Sequence, residues 1–244
     1  MRIMKDDRRI LLLDTSGKIG TVGIATEQGV VAAAALPGQT HHAAELMPTL
    51  QQLLAGPGWS ADSLTDVFLP VGPGSFTGLR LSVSVARTMA WSVGARLVAL
   101  GTMSVLARNG LSITSPPEHV AVLLDAKRGQ TFDAAFTLQD GSYRAVIEPC
   151  LEEPAVFLAR CPQPLTVLGE GIPLHEAALA QTGCPQLPAE YWPSRPEHIH
   201  VLGMDQARQG LYIAAGDLVP HYVRRPEMEE RWEKKQAALG KPIQ

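Results

Sequence analysis

The chain has 244 residues, 45% hydrophobic and 18% charged, with a net charge of −3. This is enough chain to bury the core of one large domain or of two small ones sharing a hinge, and too apolar a composition for disorder to dominate. The negative charge argues against holding nucleic acid through a generally basic surface, because neutralising phosphates takes clustered Lys and Arg. Cys150, Cys161 and Cys184 are an odd set without CxxC spacing, as expected of reduced structural thiols. Met1 to Arg9 shows no secretory pattern, and no stretch approaches the ~20 apolar residues of a membrane span, so a soluble, cytoplasmic protein is expected.

Ile10 to Asp14 is a short apolar run ended by Thr15 and Ser16, which predicts a buried strand. Turns at Gly17-Lys18-Ile19-Gly20 and Gln28-Gly29 separate it from strands at Thr21–Ala25 and Val30–Ala34, giving a three-strand meander. His42 to Leu54 carries Leu46, Leu50, Leu53 and Leu54 at helical spacing, with Pro48 early in the helix or kinking it. Asp66 to Val71 predicts a strand, Phe76 to Val93 a helix stopped by Gly94, and Leu97 to Leu100 another strand, after which Thr102 caps a short helix. Asn109 to Glu118, with Gly110 and Pro116-Pro117, is expected to link two halves, 1–108 and 109–244.

The meander then returns. Val122-Leu123-Leu124-Asp125 leads into Ala126-Lys127-Arg128-Gly129, a strand from Thr131 to Thr137, a turn at Asp140-Gly141-Ser142 and a strand from Tyr143 to Ile147. Asp14 and Asp125 each close an apolar strand before a turn. A pair of such meanders, each followed by helices, is expected of the duplicated α/β actin-like, sugar-kinase and Hsp70 (ASKHA) fold, with the aspartates facing each other across a cleft. Lys127 and Arg128 would either narrow that cleft or hold an anion in it.

Gly72-Pro73-Gly74-Ser75-Phe76-Thr77-Gly78-Leu79-Arg80 follows a strand and opens a helix. Backbone amides there can hold an anion, or Ser75 can simply cap the helix. It is neither a Walker loop nor GxGxxG. On a helical wheel Phe76, Leu79, Val83, Ala86, Ala90 and Val93 form one apolar face. Leu81, Val85 and Met89 form a second, beside Gly78 and Ser82, while Arg80, Ser84, Arg87 and Trp91 make a separate stripe. Two apolar faces are expected of a helix buried in its own domain, or of one shared between a sheet and a partner.

These stretches, taken in order, resemble the TsaB (YeaZ) family: Leu-Asp14-Thr15-Ser16, His42-Ala43-Ala44-Glu45-Leu46-Met47-Pro48 and the glycine-rich nonapeptide, then Asp125-Ala126-Lys127-Arg128-Gly129 and Pro220-His221-Tyr222-Val223-Arg224-Arg225-Pro226. The resemblance implies an actin-like fold and a non-catalytic partner of TsaD, which transfers threonylcarbamoyl to N6 of adenosine 37 in tRNA. It implies a TsaE-like P-loop ATPase as a further partner and tRNA contact only through the complex. The two helices of the first half would pair with TsaD, or with a second copy when the chain is alone. That places His42, Leu46, Gly78, Leu81, Ser82, Val85 and Met89 at the interface.

No cofactor is implied, although Asp14, Thr15, Ser16, Gly74 and Ser75 leave room for weak nucleotide binding. TsaD carries a His-x-x-x-His metal site where this chain reads Leu100-Gly101-Thr102-Met103-Ser104-Val105-Leu106-Ala107, without a ligand. His41 and His42 are adjacent and diverge on a helix, and His198 and His200 are expected as solvated helix-start residues. The competing expectations are an active ATP-dependent phosphotransferase of the same superfold and a metallopeptidase, although neither His-Glu-x-x-His nor Gly-x-Ser-x-Gly is present.

Overall fold

The computed structural model describes residues 8–36, 38, 42–127 and 129–223. The expectations that fall on His41, on Arg128, on Arg224 to Pro226 and on the tail Glu227 to Gln244, whose Glu-rich and Lys-rich composition with Trp232 predicts a mostly solvated helix, lie outside the described residues.

The first meander is β1 (Ile10–Asp14), β2 (Gly20–Ala25) and β3 (Val30–Leu36). Helix α1 (His42–Ala55) leads to β4 (Asp66–Pro70), and α2 (Phe76–Val93) leads to β5 (Arg96–Leu100). The sheet order is β3-β2-β1-β4-β5, antiparallel across the meander and parallel from β1 through β5. After α3 (Thr102–Ala107), the second meander is β6 (His119–Asp125), β7 (Thr131–Gln139) and β8 (Ser142–Glu152). Helix α4 (Pro154–Ala159) leads to β9 (Leu165–Leu168), giving the order β8-β7-β6-β9. The second sheet repeats the first without its fifth strand, so the two halves share one topology, the duplicated mixed α/β arrangement of the actin-like superfold.

Why the inner strands read as continuous apolar runs is now plain: each is covered on both faces. Because side chains alternate along a strand, Leu11, Leu13, Val67 and Leu69 face a core with α1 and α2. Ile10, Leu12, Phe68 and Val98 face the other way, against Ile199, Met204 and Ala207 of α6 (Pro196–Arg208). In the second sheet Val120, Val122 and Leu124 meet Met103, Leu106 and Ala107 of α3. Ala121, Leu123 and Val167 meet α4 and α5 (Glu176–Thr182). The layers therefore run α1 and α2, first sheet, α6 and α3, second sheet, α4 and α5.

The chain crosses between its halves twice. Met103, Leu106 and Ala107 of α3 pack on the second sheet while Val105 turns to the first, and α6 returns to the first sheet from the far side of the chain. Beyond α6, Ile213 bridges to Leu97, Leu218 is fully buried, and His221 N–H donates to the Val71 carbonyl at 2.6 Å.

One local expectation gains detail and one is corrected. The stretch beginning at Asn109, expected as a linker, starts as a 3-10 turn (Arg108–Ser112) in which Asn109 is fully buried. The Asn109 amide donates to the Tyr191 and Pro193 carbonyls at 2.6 and 3.0 Å, so its segment is anchored. Thr102 does not cap α3, whose N-cap is Gly101; its hydroxyl accepts instead from Gly72 N–H at 3.1 Å, tying α3 to the glycine-rich loop.

Candidate functional site: the interlobe cleft and the outer helix pair

Both hairpin turns are built by the same device. Asp14 Oδ1 accepts from Ser16 N–H at 2.8 Å and Asp125 Oδ1 from Lys127 N–H at 2.7 Å, an i to i+2 bond that folds the chain over its own carboxylate. The turns occupy matching places, Asp14 opposite Thr21 and Asp125 opposite Thr131. Both aspartates line one cleft between the lobes, with Ser16, Lys18, Gly74, Ser75, Lys127 and Glu170.

Lys127, at φ 64°, takes the left-handed backbone that non-glycine residues rarely adopt, and its ammonium lies 2.6 Å from Asp125 Oδ2. Burial pushes the Asp125 carboxyl up, but the Lys127 hydrogen bonds, with the charges of Lys127 and Lys18, outweigh it and hold the pKa below the ordinary value. The Lys127 side chain is thus paired within its own turn.

Glu170 was not anticipated. It stands between Gly169 and Gly171, where the chain leaves β9, and its Oε1 accepts from Lys18 N–H in the opposite lobe at 2.8 Å. A charged residue flanked by glycines straight after an apolar run was the available signal.

The glycine-rich loop is a junction of three segments. A Cβ on Gly78 would overlap the Thr15 carbonyl oxygen, one on Gly74 would sit 2.7 Å from Ser16 Cβ, and one on Gly72 would overlap the His221 carbonyl oxygen. Thr15 Oγ1 donates to the Gly78 carbonyl at 2.7 Å, and Ser75 N–H donates to Ser16 O at 2.8 Å. Ser75 caps α2 by accepting from Gly78 N–H at 3.4 Å. The motif therefore lets the α2 start, the first hairpin and the C-terminal segment touch through backbone.

Of the residues placed at the partner interface, His42, Leu46, Gly78, Ser82 and Met89 are buried within the chain itself, while Leu81 and Val85 are half-buried. His42 Nε2 lies 3.2 Å from Gly20 N and 3.0 Å from Leu36 O, fixing the start of α1 to the meander. Met89, on the second apolar face of the wheel, is only 8% exposed and joins the core with Val67, Leu69 and Leu97. Phe76, assigned to the buried face, is 41% exposed, stacking on Tyr222 at 5.3 Å and lying under Arg80 at 3.8 Å. Arg80 Nε donates to the Tyr222 hydroxyl at 3.2 Å, and Arg87 lies over exposed Trp91 at 4.9 Å.

The histidines expected in solvent are also enclosed. His200 is buried with Nε2 at 2.8 Å from Thr26 O. His198 lies 3.3 Å from the Ser112 hydroxyl, and burial, then Arg108 and Arg195, push its pKa down to about 4. Among the described residues no group of three or more His, Cys, Asp or Glu is placed to hold a metal ion, and no helix is long and apolar enough to cross a membrane.

Residues 24–229 match the family model described as TsaD, tRNA N6-adenosine threonylcarbamoyltransferase. A Bacillus subtilis protein named tRNA threonylcarbamoyladenosine biosynthesis protein TsaB is 27% identical over 91% of this chain and 97% of its own. The Escherichia coli protein of the same name is 26% identical over 52% of this chain and 54% of its own. Two solved Pseudomonas aeruginosa structures share the fold. One, described as similar to peptidase YeaZ, has a TM-score of 0.77 at 21% identity, covering 89% of this chain and 100% of its own. The other, YeaZ, has a TM-score of 0.75 at 21% identity, covering 88% and 99%.

Proposed function

The chain belongs to the TsaD-related family, in its TsaB (YeaZ) branch, and from this membership we propose that it is the non-catalytic partner subunit of the machinery that makes N6-threonylcarbamoyladenosine in tRNA. In this role it binds a TsaD-like transferase, a TsaE-like P-loop ATPase joins the assembly, and tRNA is met only through the complex. The work is cytoplasmic, and without TsaD the chain pairs with a second copy.

One observation carries the partner role: the outer layer of α1 and α2 is almost free of charge. Across both helices the ionised side chains are Glu45, Arg80 and Arg87 alone, and the two arginines lie over Phe76 and Trp91. The exposed residues include Ala43, Ala44, Met47, Gln51 and Gln52 on α1 and Phe76, Arg80, Ser84, Thr88 and Trp91 on α2, with Leu81 and Val85 half-buried beside them. Small and apolar groups in water across two parallel elements fit a docking helix pair better than a solvated surface. The contact residues are therefore Leu81, Val85 and the outward positions, supported from beneath by buried Leu46, Ser82 and Met89.

The test uses M47D, at a 48% exposed position where a carboxylate meets water in the free chain, and V85D, at a half-buried position beside the core, each read in the folded protein. Each is expected to weaken association with a TsaD-like protein of the same cell, and self-association, at least tenfold, because docking would bury an unpaired charge. Folded variants that still associate fully in sedimentation and pull-down would remove this surface from the interface. The phosphotransferase alternative is weakened by the filled hairpin turns, and steady-state ATP turnover by the isolated chain would restore it.

A further inference from the structure

We propose that Glu170 is a built-in occupant of the anion position offered by the first hairpin turn, an interlobe latch whose carboxylate stands where inorganic phosphate or a nucleotide phosphate would have to sit. The donor side is simple. Ser16 N–H is taken by Asp14, and Gly17 has no side chain, so Lys18 N–H faces the cleft unobstructed. Glu170 Oε1 takes that donor at 2.8 Å and lies 3.3 Å from where a Cβ on Gly17 would be. A phosphate oxygen would need the same donor in the same space.

The acceptor side is rigidly presented. A Cβ on Gly169, at φ 121°, would overlap the Leu123 carbonyl oxygen, and one on Gly171 would sit 2.8 Å from Thr131 Cγ2. Gly171 N–H also donates to Leu123 O at 2.9 Å. The two glycines press the turn flat against β6, and Glu170 is the side chain left pointing across the cleft.

Holding a carboxylate there is unfavourable. Burial first, and then the charges of Asp14 and Asp125, raise the Glu170 pKa, against the Lys18 hydrogen bond and charge that lower it; Lys127 faces the same cleft but is paired with Asp125. The sign follows: because the folded pKa is raised, acidification relieves the cost of burial and stabilises the folded chain, while the Lys18 hydrogen bond and charge favour the ionised carboxylate and oppose this. A phosphate would add its own negative charge to three carboxylates. The same group thus joins the lobes and refuses anions.

The experiment uses the isolated full chain and is independent of any partner. Lys18 amide hydrogen exchange is read by NMR, and pyrophosphate binding without divalent cations by calorimetry, in wild type, E170A and E170Q. E170A is expected to speed Lys18 exchange at least tenfold and tighten pyrophosphate binding at least tenfold. E170Q, which preserves shape and acceptor, removes only the charge and is expected to tighten pyrophosphate binding at least threefold. Unchanged Lys18 exchange in E170A overturns the latch, and unchanged pyrophosphate affinity in either folded variant overturns the exclusion of anions.

Discussion

Asp133 is fully buried and His198 half-buried, and their effects on stability run in opposite directions. Neither carboxylate oxygen of Asp133 has a well-formed hydrogen bond; burial raises its pKa to about 7, against weak opposition from Thr131 and the Glu152 backbone. Below its unfolded value the group costs nothing, and stability is lost as pH rises toward 7. His198, lowered to about 4, acts the other way: the unfolded chain gains a proton near pH 6.5 that the folded chain refuses, so stability falls on acidification. Each effect is on the order of 3 kcal/mol across its window, and between pH 4 and 6.5 they largely cancel. D133N should unmask the acid loss and H198N should unmask an acid gain. Urea midpoints measured at pH 4.5 and 6.5 check both, and parallel pH profiles in the two variants would contradict these assignments.

At the scale of elements, the start of α2 decides how the first half is put together. G78A is expected to cost roughly 2–4 kcal/mol, because its Cβ meets the Thr15 backbone, which cannot rotate away as a side chain can. S75A removes an N-cap bond of 3.4 Å and should cost about 0.5 kcal/mol, the low end for caps. Thermal unfolding of the two variants separates junction from cap, and a G78A loss no larger than that of S75A would mean that the hairpin yields. Helix α2 itself was legible from its wheel and from Gly94, which ends it at φ 76°. Which of its faces stays wet was not, since that depends on how α2 seats on β4 and β5 and on Tyr222 arriving from the far end of the chain.

For the whole molecule, the double crossing means that the two halves of the sequence do not own separate cores. A 1–108 fragment would expose the Ile10, Leu12, Phe68 and Val98 face that α6 covers, and a 109–244 fragment would lose α3 from beneath Val120 and Val122. Leaving such faces in water forgoes about 25 cal/mol per Å² of apolar burial. Each fragment is therefore expected to lack cooperative unfolding alone, and the two to recover it when co-expressed. A fragment 1–108 with a sharp thermal transition of its own would contradict this.

The sequence by itself determined the elements whose cause is local. Apolar runs ended by Asp14 and Asp125 were sufficient for the paired meanders, because a strand and its turn are specified within a dozen residues. The ordered motifs carried the family. Tertiary structure alone decided what depends on distant partners: Glu170 reaching Lys18 across 152 residues, Thr102 serving Gly72 instead of a cap, and His198 and His200 enclosed between α6 and its neighbours. A glycine's local signal is only that a Cβ is missing. The backbone it admits, Thr15 against Gly78 and His221 against Gly72, comes from elsewhere in the chain, and no window of sequence around the glycine contains it.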